Sequence, residues 1–329
     1  PHHATGGTTT MPPATDRTEV PTETHEYVAF TDGVANFYEA EPRCRARVQF
    51  GAKSHVGLVR SQNEDHYLVV SRRREREVIA TSIAVELLPK PEQAAYVAAV
   101  ADGMGGHAFG ELASYLALRT GWEMGTDEVK WPVKSNSTEA DELKRKALVL
   151  FRLIDRSIIA AAAEQPRHTG MGTTLTNCYS IGSDLYVFHV GDSRAYLHHE
   201  GALERLTRDH TVGQALVDAG LAAPDSPAAR SRKHVLTNVL GGPAVGISVD
   251  VERRTLADGD RILLCTDGLS DFVEDAEIAD ALNRHADPND VCQNLLDLAL
   301  SRGGKDNVTV VVGRYEITAG PDDLFDDET

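Results

Sequence analysis

The sequence predicts an α+β fold in which antiparallel sheets are covered by helices. Strand-like runs come in hairpin groups, pairs of helix-patterned segments are inserted between those groups, and no Pro/Ser/Gly-rich linker divides them. A parallel sheet would instead alternate strand and helix strictly. The chain has 329 residues, 41% apolar and 25% charged, which are globular values. A domain of that size buries roughly three quarters of its unfolded surface, so a real core is expected.

Residues 1–43 carry Thr and Pro clusters and few apolar side chains, so this extension is expected to be disordered. Met11 reads as a natural start, with residues 1–10 a cloning remnant. One catalytic-sized domain is then expected over 44–318. Its strand-like runs are 46–51, 65–70, 96–101, 173–181, 184–190, 194–199, 261–266 and 307–316. Helical periodicity fits 108–124, 139–164, 211–220, 275–285 and 288–302. Ser183-Asp184 and Glu200-Gly201 read as hairpin turns, and 223–236, with Pro224, Pro227 and several arginines, as a mobile loop. The acidic stretch at 319–329 reads as a solvated tail. No internal repeat is visible.

Acids outnumber bases by 50 to 33, a net charge of −17. That excludes a nucleic-acid binder built on a basic face and weakens a role on anionic membranes. No apolar run approaches the ~18 residues a span needs, and no basic-then-apolar signal pattern opens the chain. The cysteines (Cys44, Cys178, Cys265, Cys292) form no C-x-x-C pair. Cys178 and Cys265 lie in apolar runs and read as buried free thiols, so a cytoplasmic protein is expected.

The informative feature is where the acids stand. Apolar runs lead into Asp102-Gly103, Gly191-Asp192 and Asp267-Gly268, while Asp306 opens the run from Val308 and Glu64-Asp65 opens His66–Val70. Any one Asp-Gly after a strand is what a simple turn provides. Five such sites in one domain suggest more. If they converge, like charges at ~4 Å repel by roughly 1–4 kcal/mol per pair, and the group must protonate or bind cations. Oxygen donors select Mg²⁺ or Mn²⁺ over Zn²⁺. Two such ions would generate a hydroxide nucleophile and clamp a phosphoryl group.

Seven segments in order then carry a family likeness: Arg60-Ser61-Gln62-Asn63-Glu64-Asp65, Ala101-Asp102-Gly103-Met104-Gly105-Gly106-His107, Gly170–Leu175, His189-Val190-Gly191-Asp192-Ser193-Arg194, Leu206–His210, Cys265–Asp271 and Lys305-Asp306-Asn307-Val308-Thr309. Over about residues 50–316 the chain resembles the metal-dependent Ser/Thr protein phosphatases of the protein phosphatase 2C (PPM) type, in particular the bacterial branch. The resemblance implies an α-β-β-α sandwich, two central antiparallel sheets flanked by helices. It also implies hydrolysis of phosphoserine and phosphothreonine by a metal-activated water.

Carried over residue by residue, Asp65, Asp267 and Asp306 resemble ligands of a first metal and Asp102 the carboxylate bridging both. The Gly103 carbonyl resembles a ligand of the second, and Glu64 one that acts through water. Asp192 with Asp267 resembles a third, weaker site. Arg60 matches the arginine that holds the substrate phosphate, since its guanidinium fork suits two phosphoryl oxygens. Residues 210–236 correspond to a flap linked to substrate choice. The implied partners are phosphorylated proteins, including a Ser/Thr kinase and its substrates, with the chain a monomer.

The sequence also departs from the family pattern. Met104 stands where many eukaryotic members have a histidine proposed as the general acid, and Met cannot donate a proton. His107 could serve instead, could merely begin a helix, or a metal-bound water could supply the proton. Segments 72–95 and 125–140 exceed a minimal member. The basic run Arg72–Arg76 within the first reads as a solvated loop or hairpin, with a docking surface as the alternative.

Three other chemistries fit poorly. Gly191-Asp192-Ser193-Arg194-Ala195 looks like a nucleophile elbow, but a strand pattern follows it rather than a helix. Cysteine phosphatases need Arg six residues after Cys, and those positions hold Phe50, Asp184, Asp271 and Leu298. Gly304-Lys305 lacks the rest of a Walker loop. A non-catalytic phosphoprotein-binding relative of the same fold is the remaining alternative.

Overall fold

The computed structural model describes residues 44–74, 77–84, 93–105, 109–127, 137–165, 168, 170–242 and 246–319. The chain first forms β1 (Cys44–His55), β2 (Asp65–Arg74) and β3 (Gln93–Met104), then helices α1 (Phe109–Asp127) and α2 (Ser137–Glu164). Next come β4 (Gly172–Thr173), β5 (Leu175–Ile181), β6 (Asp184–Val190), β7 (Arg194–His199) and β8 (Ala202–Arg205). Short helices α3 (Val212–Asp218) and α4 (Pro227–Arg230) precede β9 (Asp250–Thr255) and β10 (Arg261–Cys265). The fold closes with α5 (Asp267–Ser270), α6 (Asp275–Arg284), α7 (Pro288–Ser301) and β11 (Val308–Ala319).

All pairings between these strands are antiparallel. One sheet runs β1-β11-β10-β7-β8 and the other β2-β3-β5-β6-β9, with β4 paired to β3. Period-2 alternation on strands buried on both faces builds the layers. In β3, Ala95, Ala99 and Ala101 turn toward α1 and α2, while Ala98 and Val100 turn toward the other sheet. In β10, Leu263 and Cys265 meet α6 and α7, while Ile262 and Leu264 join the inter-sheet core. Three apolar layers result, which is the α-β-β-α sandwich. The Tyr315 hydroxyl donates to Ser180 Oγ at 2.9 Å and satisfies both groups between the sheets.

The strands missing from the sequence reading are β8 and β9, one at an edge of each sheet. β9 carries Asp250, Glu252, Arg253 and Arg254, and β8 carries Glu204 and Arg205. Charged edges resist pairing with other chains but erase the apolar signal. The hairpin after β5 turns on Gly182-Ser183 rather than Ser183-Asp184, because Asp184 already pairs with Ile181 and Gly182 takes the left-handed φ of 54°. The stretch 223–236 holds a helical turn, α4, capped by Ser226 Oγ accepting from the Ala229 amide. Cys178, Cys265 and Cys292 are buried free thiols, and Cys44 is partly exposed. No helix among the described residues is long and apolar enough to cross a membrane.

Candidate active site

Strand register sets the first two acids side by side: Asp65, the first residue of β2, is directly opposite Asp102 near the end of β3. Directly opposed residues of an antiparallel pair have Cα atoms about 4.5–5.5 Å apart. The other sheet brings its own acids to the same end. Asp267 follows β10 as the first residue of α5, and Asp306 lies just ahead of β11.

Asp65 joins the sheets. Its Oδ2 accepts from Thr266 Oγ1 and from Thr309 Oγ1, both at 2.8 Å, while its Oδ1 is buried with no hydrogen-bond partner. Burial pushes its pKa up to about 7; the two hydroxyls oppose that, and the charges of Asp267 and Asp306 add to it. Asp102 is held well above the carboxylate range by burial and by Asp65, Asp267, Asp192 and Asp306. Its backbone is fixed: the Asp102 amide donates to Thr174 Oγ1 at 3.0 Å, and its carbonyl accepts from Thr173 Oγ1 at 2.8 Å. Asp192, on the β6–β7 turn, is 8% exposed and raised to about 8 by burial and by Asp267, Asp209 and Asp271.

Backbone approach shapes the rest of this end. A side chain on Gly103 would collide with the Gly110 carbonyl, so only glycine lets the first turn of α1 close on β3. Ser114 Oγ of α1 donates to the Glu64 carbonyl at 2.5 Å, and the Gly103 amide donates to the same oxygen at 3.2 Å. The Glu64 side chain is half-buried, and its pKa is raised by burial against the opposing charge of Arg60. Asn307 accepts from the Glu64 amide at 2.8 Å and donates to the carbonyls of Val56 and Gln62. It thereby anchors the loop that carries Arg60. Arg60 is exposed at the rim, with Nη2 2.7 Å from Asp306 Oδ2.

The segment 211–236 reaches into this end. Its base is closed by the Thr211–Leu236 bridge, and the Val212 amide donates to the Val235 carbonyl at 2.8 Å. Lys233 Nζ contacts Asp271 Oδ1 at 2.8 Å. His234 Nδ1 is 3.4 Å from Asp271 Oδ2 and 3.9 Å from Asp267 Oδ2. Among the described residues, His234, Asp267 and Asp271 are the one set of three such ligand atoms that all lie within 4.8 Å. The remaining carboxylates are spread wider, as mutually repelling charges are.

Arg60, Glu64, Asp65, Asp102, Gly103, Asp192, Asp267 and Asp306 thus share one end of the sandwich, whereas His107 lies outside the described residues. Ser193 is fully buried, its Oγ 2.8 Å from Thr174 Oγ1, and β7 runs on from Arg194, so it is no nucleophile elbow. Thr266, Thr309, Asn307, Lys233, His234 and Asp271 had no role assigned from sequence. The first three stand beside the aspartates in the same motifs, and Asp271 is four residues after Asp267, one helical turn on. An orphaned carboxylate oxygen among acids with raised pKa values and oxygen donors suits hard divalent cations.

A model of the protein phosphatase 2C family matches residues 87–300, which include Asp102, Asp192 and Asp267. The chain belongs to the protein phosphatase 2C family. Among similar family members is the serine/threonine protein phosphatase PstP of Mycobacterium tuberculosis, 35% identical over 265 residues. That match covers 80% of this chain but 44% of the relative, so the chain spans less than half of that protein's length. The serine/threonine phosphatase stp of Listeria monocytogenes is 30% identical over 219 residues, 67% of this chain and 84% of its own. Among solved structures, the catalytic domain of PstP in complex with two manganese ions superposes with a TM-score of 0.65 at 34% identity, covering 83% of this chain and all of that one. The Streptococcus agalactiae serine/threonine phosphatase gives 0.66 at 27%, covering 81% of this chain and 99% of that one. Both solved structures superpose on the sandwich described above.

Proposed function

We propose that the chain is a metal-dependent protein phosphatase acting on phosphoserine and phosphothreonine in proteins, with residues 44–318 as the catalytic domain. The observation that carries this is the buried, unpartnered Oδ1 of Asp65 beside Asp102. Burial raises the pKa of both acids, with Asp267 and Asp306 adding to each and Asp65 adding to Asp102, so a cation would stabilise them, and the family relationship says which kind. Asp65, Asp102, Asp267, Asp306 and the Gly103 carbonyl would hold two Mn²⁺ or Mg²⁺ ions, with Glu64 acting through water and Asp192 with Asp267 serving a third. When bound, such ions neutralise phosphoryl charge and lower the pKa of a water so that it attacks at neutral pH.

The chain's own residues do the rest. Thr266 and Thr309 fix the orientation of Asp65, and Thr173 with Thr174 fixes the backbone of Asp102. Arg60, exposed and adjacent to Asp306, takes two phosphoryl oxygens in its fork. Met104 donates no proton, so the acid for the leaving alkoxide is either His107 or a water on the bound ions, and leaving-group dependence separates the two. His107→Ala slows poor leaving groups most if His107 is the acid, and equal loss for good and poor leaving groups would reject that role. Phosphorylated proteins, including a Ser/Thr kinase and its targets, are the proposed partners of a cytoplasmic monomer.

The test is phosphate release from a phosphothreonine peptide with Mn²⁺ and then with EDTA. Release that requires Mn²⁺ supports the reading. No release with any divalent ion from folded protein would replace it with a phosphoprotein-binding relative.

A further inference from the structure

A cavity of about 170 Å³ lies at the opposite face of the six-stranded sheet from the inter-sheet core, under the α1–α2 pair. Leu68, Val70, Val97 and Ala99 form its floor, and Phe151 and Ile154 its roof. It exists because small residues face each other there: β3 presents alanines and α1 presents Ala117 and Gly121. A cavity of about 150 Å³ lined by apolar side chains accepts a benzene ring. The space shares no residue with the carboxylate end.

Two polar groups in its wall are unmatched. Asn177, on the central strand β5, is half-buried, and its carboxamide has no hydrogen-bond partner among the described residues. The carboxamide is open to the cavity and can pair there with water or with a ligand. Arg72, on the edge strand β2, is half-buried with no carboxylate partner among the described residues, and its charge reaches the Tyr179 phenol. The register separates the two groups. Asn177 pairs with Ala99 and Ala99 with Leu68, four residues before Arg72. That is about 10 Å across the strands and about 13 Å along them, a gap that the long arginine side chain shortens.

We propose that this cavity binds a small aryl carboxylate with a hydroxyl at the far end of its ring. The ring lies between the sheet and Phe151, the carboxylate meets the Arg72 guanidinium, and the hydroxyl pairs with Asn177. Charge complementarity favours the anion, because Arg72 is, among the described residues, the one charged side chain in the cavity lining.

The probe is para-hydroxyphenylpropionate, followed by calorimetry and by the emission of Trp122 at the cavity rim. Wild-type protein is expected to bind one equivalent more tightly than it binds phenylpropionate. Arg72→Gln weakens binding about tenfold. Asn177→Leu removes the preference for the hydroxylated acid but retains phenylpropionate. Gly121→Leu fills the space and abolishes binding. A Cβ at Gly121 meets only Ile154 Cδ1, at an ordinary 3.8 Å, so that variant is expected to fold. Lack of saturation at millimolar probe, or wild-type affinity in Gly121→Leu, would overturn the proposal.

Discussion

Asp192, just ahead of β7, and Asp209, which follows β8, are near enough for the charge of Asp209 to act on Asp192, yet their surroundings are opposite. Asp209 is met by Arg194 in a fork, Nε to Oδ1 at 3.1 Å and Nη2 to Oδ2 at 2.7 Å, with Arg205 Nη1 at 3.8 Å. Burial alone would raise its pKa, but the Arg194 hydrogen bonds and charge hold it below the carboxylate range. Asp192 has no such arginine among the described residues. Burial and three neighbouring aspartates raise it to about 8. A buried acid that serves the fold brings its cation along the chain; acids at the strand ends leave that cation to come from solution.

The sharpest way to break this comparison is to neutralise one acid of each kind. Asp102→Asn or Asp267→Asn is expected to lower phosphate release roughly a thousandfold or more. Melting of the metal-free protein should be unchanged or raised, because charge repulsion is relieved. Wild-type turnover in either variant would contradict the two-metal assignment. On the structural side, Arg194→Met removes the fork on Asp209 and leaves it only the 3.8 Å contact to Arg205, which should cost about 3 kcal/mol in urea unfolding, with or without Mn²⁺. A loss below about 1 kcal/mol would class the pair with surface ion pairs.

Dependence on pH separates the two kinds by sign. Asp65 and Asp192 have folded pKa values of about 7 and about 8, above an unfolded value of about 3.9. Between those values the folded state binds more protons, so stability falls as pH rises through that window. These two acids therefore favour melting higher near pH 5 than near pH 8, against buried His189, whose pKa of about 4 favours the opposite below its unfolded value, and Asp192→Asn should remove part of the acids' share of the slope. Asp209, with its lowered pKa, contributes stability above the unfolded value that is lost as pH falls through the folded one. A slope between pH 5 and 8 that Asp192→Asn leaves unchanged would refute the repelling cluster. The smallest effect is expected at the rim: Arg60→Ala should raise the KM for phosphopeptides about tenfold and leave Mn²⁺ affinity unchanged. Unchanged kinetics would place the phosphate elsewhere.

How much of this could be read in the sequence follows the same division. Central strands buried on both faces show as apolar runs, and glycine beside an aspartate at a strand end shows as a motif, so helix-covered antiparallel sheets and their acid-rich end were legible, while the two-sheet sandwich came from the family resemblance. The charged edge strands β8 and β9 were not, because edge protection replaces the apolar signal with charge. Nor was the clasp on Asp65, whose partners Thr266 and Thr309 stand 201 and 244 positions away. Only the antiparallel topology brings them together. Lys233 and His234 lie in a stretch without periodicity, and what they touch is set by the closure of the flap base at Thr211–Leu236.

The most direct test of the central claim is a calorimetric Mn²⁺ titration at neutral pH in two buffers of different ionisation heat. Cations that fill a site of raised-pKa acids must displace protons from Asp65 and Asp102. The account predicts saturable binding of at least two ions with net proton release, and the loss of at least one ion in Asp267→Asn. Absence of saturable binding, or binding whose heat is the same in both buffers, would contradict it.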